Sequence, residues 1–134
     1  MALTALDSSV LIPAVAPWHA EHERVDRVLG RLGELVMIGH VLLETYAFLT
    51  RNRPRTPPKA AAELLRAMPG PVVVLSVEGK RQLLDRVGAA GLTGGAVYDA
   101  LIGATALEAG ARLLSRDERA ARTYASIGVP FDLI

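Results

Sequence analysis

Four acidic residues stand in mostly apolar surroundings at four separated points of the chain: Asp7, Glu44, Asp99 and Asp117. A carboxylate set among hydrophobic side chains is costly unless something pairs with it. One divalent cation serves several carboxylates at once, and an all-oxygen donor set suits Mg2+ or Mn2+ better than zinc. Asp7 follows the strand-like run Ala2-Leu3-Thr4-Ala5-Leu6. Glu44 interrupts Val41-Leu42-Leu43 and Tyr46-Ala47-Phe48-Leu49. Asp99 lies in Ala96-Val97-Tyr98-Asp99-Ala100-Leu101-Ile102, and Asp117 comes two residues after Leu113-Leu114-Ser115.

The four are not equally informative. On a helix, Glu44 has His40, Val41, Ala47 and Phe48 as its neighbours at three and four residues, so its carboxylate points toward the core side. Asp99 has Gly95, Ala96, Ile102 and Gly103, small or apolar neighbours that allow a close approach to the backbone. It lies beyond the first turn after Gly94-Gly95, too far in for a simple dipole role. Asp7 and Asp117 fall where a strand hands over to a helix, where Asp commonly caps. Taken alone, each reads first as a cap, although a carboxylate has two oxygens and can do both jobs. Ser9 and Ser115 sit at the same strand ends, as caps or as groups that orient a water.

The elements that must position these residues can be read from the hydrophobic pattern. Ala2–Leu6, Leu35–Ile38, Val72–Leu75, Arg112–Ser115 and, more weakly, Pro130–Leu133 read as strands. The first four are continuous rather than alternating, as in strands buried on both faces. Helical patterns fill the intervals: Ser8 to Val15, His19 to Leu32, His40 to Arg51, Pro57-Pro58 to about Met68, Val77 to Ala89, Gly95 to Ala109 and Asp117 to Ser126. Alternating strands and helices predict one α/β domain over residues 1–134, with a central parallel sheet of four to five strands flanked by helices in three layers. Ligand sites in such folds gather at the carboxyl ends of strands, where Asp7 and Asp117 fall.

Composition narrows the class. The 134 residues suit one domain of the usual size, about 100–150 residues, and 51% of them are apolar, enough for a core. The formal net charge of +1 gives no global argument for a polyanionic partner. With no cysteine, disulfides and thiolate metal sites are excluded. No run approaches the roughly 18 consecutive apolar residues of a membrane helix, and no basic region precedes an apolar one at the N-terminus. A soluble cytoplasmic protein without membrane association is expected.

Other motifs are weaker. His19-Ala20-Glu21-His22 has two imidazoles three residues apart but no further His or Cys near it in sequence to complete a zinc site, and reads as a solvated helix start. There is no phosphate-binding glycine loop after a strand and no nucleophile elbow. Arg51, Arg53, Arg55 and Lys59 cluster in a breaker-rich loop with no intervening acid. That loop is either merely soluble or a clamp for the phosphates that flank a scissile one.

Asp7-Ser8-Ser9-Val10-Leu11-Ile12, Leu42-Leu43-Glu44-Thr45-Tyr46, Tyr98-Asp99-Ala100-Leu101-Ile102-Gly103-Ala104-Thr105-Ala106 and Leu113-Leu114-Ser115-Arg116-Asp117, in this order, resemble the PIN-domain nucleases. The closest branch is the VapC-type toxins of toxin–antitoxin pairs. The resemblance covers essentially the whole chain and implies a PIN-like fold, a metal-dependent endoribonuclease activity, a small antitoxin partner and a homodimer. It implies that Asp7, Glu44, Asp99 and Asp117 form the acidic quartet, with Asp7, Asp99 and Asp117 binding Mg2+ or Mn2+ and Glu44 binding directly or through water. Ser9 stands where relatives often carry a small polar residue such as Asn, and Ser115 where Thr, Ser or an acid is common. Two other readings use the same acidic cleft: a non-catalytic module that docks a basic peptide, and a DNA-directed nuclease.

Overall fold

A computed structural model describes residues 2–134. In chain order its elements are β1 (Leu3–Leu6), α1 (Ser8–Val15), α2 (His22–Leu29), β2 (Leu35–Ile38), α3 (Gly39–Arg51), α4 (Pro58–Arg66), β3 (Val72–Val73), α5 (Val77–Ala90), α6 (Gly95–Glu108), β4 (Ala111–Ser115), α7 (Glu118–Ser126) and β5 (Phe131–Leu133). The strands form one sheet in the order β3-β2-β1-β4-β5. Every pairing in it is parallel.

The continuous apolar runs have a direct structural cause. Successive side chains of a strand point to opposite faces of the sheet. Ala5 and Leu6 in β1, like Leu113 and Leu114 in β4, are all buried, so both faces of the central strands are covered. Helix α1 packs on β1 and β4, α3 on β2, α6 on β2 and β4, and α7 on β4 and β5. The expected α/β architecture is therefore present, with helices flanking a five-stranded sheet.

Several elements are shorter than the sequence pattern predicts, and for two the cause is visible. The strand expected over Val72–Leu75 ends at Val73. It is an edge strand paired only with β2, Val74 is exposed, and Leu75 leaves the sheet line to enter the core. The helix expected from His19 begins at His22, because the His19 ring nitrogen Nδ1 accepts the N–H of Glu21 at 3.0 Å and closes a turn instead. Before β3, Gly70 adopts φ +101°, and a Cβ there would lie 2.0 Å from the Leu35 carbonyl oxygen. Only glycine lets the chain turn that close to β2.

Candidate active site

The connections from β1 run outward through β2 to β3, whereas β4 and β5 lie on the other side of β1. The chain thus changes direction between β1 and β4, and loops leaving the carboxyl ends of two such strands part to leave a crevice. Asp7 stands at the end of β1 and Asp117 just past the end of β4. Both also cap the helix that follows. Asp7 Oδ1 accepts the Ser9 N–H at 3.0 Å. Asp117 Oδ1 accepts from Arg119 N at 2.9 Å and Ala120 N at 3.3 Å. In Asp117 both capping bonds use Oδ1, so Oδ2 is left for the cleft.

The two turns are stitched to each other through the serines. Ser9 Oγ donates to Asp7 Oδ1 at 2.5 Å and accepts the N–H of Arg116 at 2.8 Å. Ser115, fully buried, has its Oγ 3.4 Å from Ser9 Oγ and accepts the N–H of Asp117 at 3.1 Å. Helix α1 carries Pro13, which has no N–H to offer the Ser9 carbonyl four residues back. Arg116 fills that vacancy: its Nη1 donates to Ser9 O at 3.0 Å, and its Nη2 lies 3.8 Å from Glu21 Oε1.

Asp7 is 3% exposed. Besides the bonds at Oδ1, its Oδ2 accepts a hydrogen bond from the Tyr124 hydroxyl at 2.9 Å, between residues 117 apart in sequence. Burial first, then the Asp7 charge and this bond, push the Tyr124 phenol well above its ordinary range, so it remains a donor at physiological pH. Helix α6 reaches this corner because Gly103 has no side chain. A Cβ there would meet Val129 Cγ2 at 3.0 Å, Ile127 Cδ1 at 3.1 Å and Tyr124 Cδ1 at 3.2 Å. Asp99 lies four residues earlier on the same helix. With Gly95, Ala96, Asp117, Arg119 and Thr123 it lines a cleft of about 340 Å³.

Glu44 faces the same acids from α3. Burial raises its carboxyl pKa, the His40 charge opposes that rise, and the Asp99 and Asp7 charges add to it. The Asp99 pKa is raised by burial, then by Asp117 and Asp7, against the pull of Arg119. The His40 Nε2 lies 3.6 Å from Glu44 Oε2, while Glu44 Oε1 is buried with no hydrogen-bond partner in the protein. The fold thus brings Asp99 within electrostatic reach of Asp7, Asp117 and Glu44, and Glu44 within reach of Asp7, with Ser9 and Ser115 linking the Asp7 and Asp117 turns. Among the described residues, however, no three potential ligands stand close enough to grip one ion as their side chains lie. Repulsion between bare carboxylates favours such a spread. In donor chemistry the set fits a hard divalent cation: it is all oxygen, it holds two acids that burial, and then neighbouring carboxylates, make reluctant to ionise, and it includes one orphaned buried oxygen.

The basic loop lies elsewhere. Arg51, Arg53, Arg55 and Lys59 are exposed, and none lines the cleft. Arg51 is seven residues beyond Glu44 on α3, about 10 Å along the axis at 1.5 Å per residue. The cation in the cleft is Arg119, which sequence reasoning passed over together with Arg116 and Tyr124. Spacing offered a faint signal for Arg119 only, since it falls in the first turn after Asp117. His22, half of the weak imidazole motif, bonds through Nδ1 to the Pro13 carbonyl at 2.7 Å.

Comparison with known proteins identifies the family and the fold. The PIN domain family model matches residues 4–126. The chain is 41% identical to Ribonuclease VapC40 of Mycobacterium tuberculosis (strain H37Rv), over 98% of this chain and 99% of that protein. The crystal structure of Mycobacterium tuberculosis VapC20, described as a sarcin-ricin loop cleaving toxin, superposes with TM-score 0.73 at 18% identity, covering 89% of this chain and 93% of that one. VapBC2 from Rickettsia felis, solved bound to a DNA fragment from its promoter, gives TM-score 0.69 at 13% identity over 98% of both chains. By the family model and the near full-length match to VapC40, the chain belongs to the PIN-domain family, alongside the VapC proteins.

Proposed function

We propose that this chain is an endoribonuclease, the toxin of a type II toxin–antitoxin pair, and that it hydrolyses RNA with Mg2+ or Mn2+. The observation that carries the reading is the convergence of Asp7, Glu44, Asp99 and Asp117 at the β1–β4 switch point, with a Glu44 oxygen left buried and unpartnered. The ribonuclease name of VapC40, at 41% identity over nearly the whole chain, supports RNA as substrate. The fold shared with VapBC2 supports a cognate antitoxin as partner.

Asp7, Asp99 and Asp117 would hold the ion. When bound, it would neutralise charge at the scissile phosphate and make water acidic enough to serve as nucleophile near neutral pH. Asp7, fixed by Ser9 and Tyr124, presents its carboxylate in one orientation. Glu44, facing these acids from α3, would bind the ion directly or through a water. The water oxygen bonds to phosphorus, the bond to the leaving sugar oxygen breaks, and the water's proton passes to solvent or to the leaving oxygen. Arg119 meets a phosphate oxygen at the cleft wall, and the 51–59 loop takes more distant phosphates.

A homodimer belongs to the same proposal, with exposed Val74, Val77 and Leu84 offering apolar area. Cytoplasmic action, where RNA is met, also belongs to it; among the described residues no helix is long and apolar enough to cross a membrane. The orphaned acid favours one second reading, a non-catalytic cleft that docks an Arg-bearing peptide. Incubating purified, antitoxin-free protein with an RNA pool and Mg2+ or Mn2+ separates the two. Cleavage that stops with EDTA and in Asp99→Asn supports the nuclease. Intact RNA under every metal condition sinks it.

A further inference from the structure

Two aromatic rings lie parallel at the rim of the acidic cleft. His40, in the first turn of α3, and Tyr98, in the first turn of α6, stack with centroids 5.5 Å apart and planes 3° apart. The pair bridges the two helices that carry Glu44 and Asp99. His40 lies 3.6 Å from Glu44, and Tyr98 immediately precedes Asp99. Tyr98 remains 56% exposed beside the parallel imidazole, which leaves ring surface for a second flat group. The stack fixes the ring's plane before anything binds, which reduces the ordering cost of binding a second flat group.

We propose that Tyr98, backed by His40, is a stacking platform for the nucleobase beside the scissile phosphate of a single-stranded RNA. The inference rests on the ribonuclease reading and adds to it how the substrate is held. A phosphate paired with Arg119, which lines the cleft with Asp99, brings its own nucleoside toward the residue adjoining Asp99, Tyr98. Unpaired bases stack on exposed Tyr and His rings, and such stacking tolerates every base because each has a π-face. The platform therefore selects unpaired RNA over duplex, in which the base faces are already stacked, and supplies no hydrogen-bond code for base identity.

The test measures equilibrium binding of a fluorescent ten-nucleotide oligoadenylate by the full chain in EDTA, where cleavage is off. Tyr98→Ala is expected to weaken binding roughly ten-fold, the usual order for one base–aromatic stack. Tyr98→Phe, which keeps the ring, is expected to restore it. An oligomer of the same length made abasic at every position should bind wild type as weakly as Tyr98→Ala, and lose nothing further in the variant. Equal affinity of wild type and Tyr98→Ala, or no measurable binding by wild type, overturns the proposal. So does a Tyr98→Ala protein that keeps RNA but releases its co-expressed antitoxin, which would assign the rings to a protein partner. Cleavage assays separate this failure from that of the parent reading. Metal-dependent cleavage with an unaltered KM in Tyr98→Ala removes the platform and leaves the nuclease. Ring-dependent RNA binding without cleavage removes the nuclease and leaves the platform.

Discussion

The two halves of the acidic cleft are built in opposite ways. At the β1–β4 end, Asp7 is buried and over-determined: a backbone N–H, a serine hydroxyl and a tyrosine hydroxyl all donate to it. At the α3–α6 end, Glu44 and Asp99 are half-buried, reluctant to ionise and short of donors, with Glu44 Oε1 lacking any. The first half is a carboxylate that the fold has already satisfied and aimed. The second is charge that the fold holds together against its own repulsion. The difference teaches that rigidity and affinity in this site come from separate places. The stitched strand ends give direction, and the helical acids would give the pull on the proposed cation.

The sharpest way to break this contrast is to neutralise one acid from each half. Asp7→Asn and Asp99→Asn are both expected to lower cleavage by at least about a thousand-fold, on the scale of losing a group that stabilises charge in the transition state. Their stabilities should part company. Asp7→Asn weakens three hydrogen bonds to a buried charge, each worth roughly 1.5–3 kcal/mol, and should lower the urea midpoint clearly. Asp99→Asn relieves repulsion and should leave the midpoint unchanged or raised. Equal destabilisation by the two variants would erase the distinction between the halves.

A smaller effect probes the stitching. Arg116→Ala leaves the Ser9 carbonyl without a donor and is expected to cost about 1–3 kcal/mol, with a fall in kcat larger than any change in KM. Pro13→Ala returns a backbone N–H to that carbonyl and, placed on top of Arg116→Ala, should recover part of the loss. If the double variant is as impaired as the sum of the two singles, Arg116 acts through something other than Ser9.

The smallest effect is on pH dependence, and its sign comes from the raised carboxyls. The folded state keeps Glu44 and Asp99 protonated to higher pH than the unfolded chain does, so between the two values it binds more protons. These groups therefore favour folding below the ordinary carboxylate pKa of about 4, and the contribution is lost as pH rises through the elevated folded values. Thermal melts of the metal-free protein should show this loss on passing from mildly acidic to neutral pH. Added Mg2+ should reverse it by stabilising the ionised pair. A melt indifferent to Mg2+ at neutral pH would leave the helical acids without their assigned role.

Much of this was legible in the chain itself. The unbroken apolar runs in β1 and β4 announced strands covered on both sides, and Asp7 and Asp117 could be placed at their ends because that is where the runs stop. Glu44 was legible because helical spacing put it among Val41, Ala47 and Phe48. The partners of Asp7 were not. Tyr124 falls with Ala120, Ala121 and Thr123 on the buried face of α7, where a phenol reads as core, and its bond spans nearly the whole chain. Arg116 became visible only once Pro13 was seen to leave a carbonyl open on a different element. The Arg51–Lys59 cluster was easy to read as charge but lies outside the cleft, while the arginine lining it, Arg119, looked like any surface residue on an amphipathic helix.

The strand order also has a consequence for how the protein is made. Synthesis delivers residue 7 first, but the partner strand β4, the Asp117 carboxylate and the Tyr124 hydroxyl lie near the C-terminal end. Chains emerge and fold from the N-terminus, so a nascent polypeptide still short of β4 carries Asp7, and in time Glu44 and Asp99, without the wall that orients Asp7. The cleft is thus completed only when translation is all but finished, and whatever chemistry it performs is withheld from the growing chain until then.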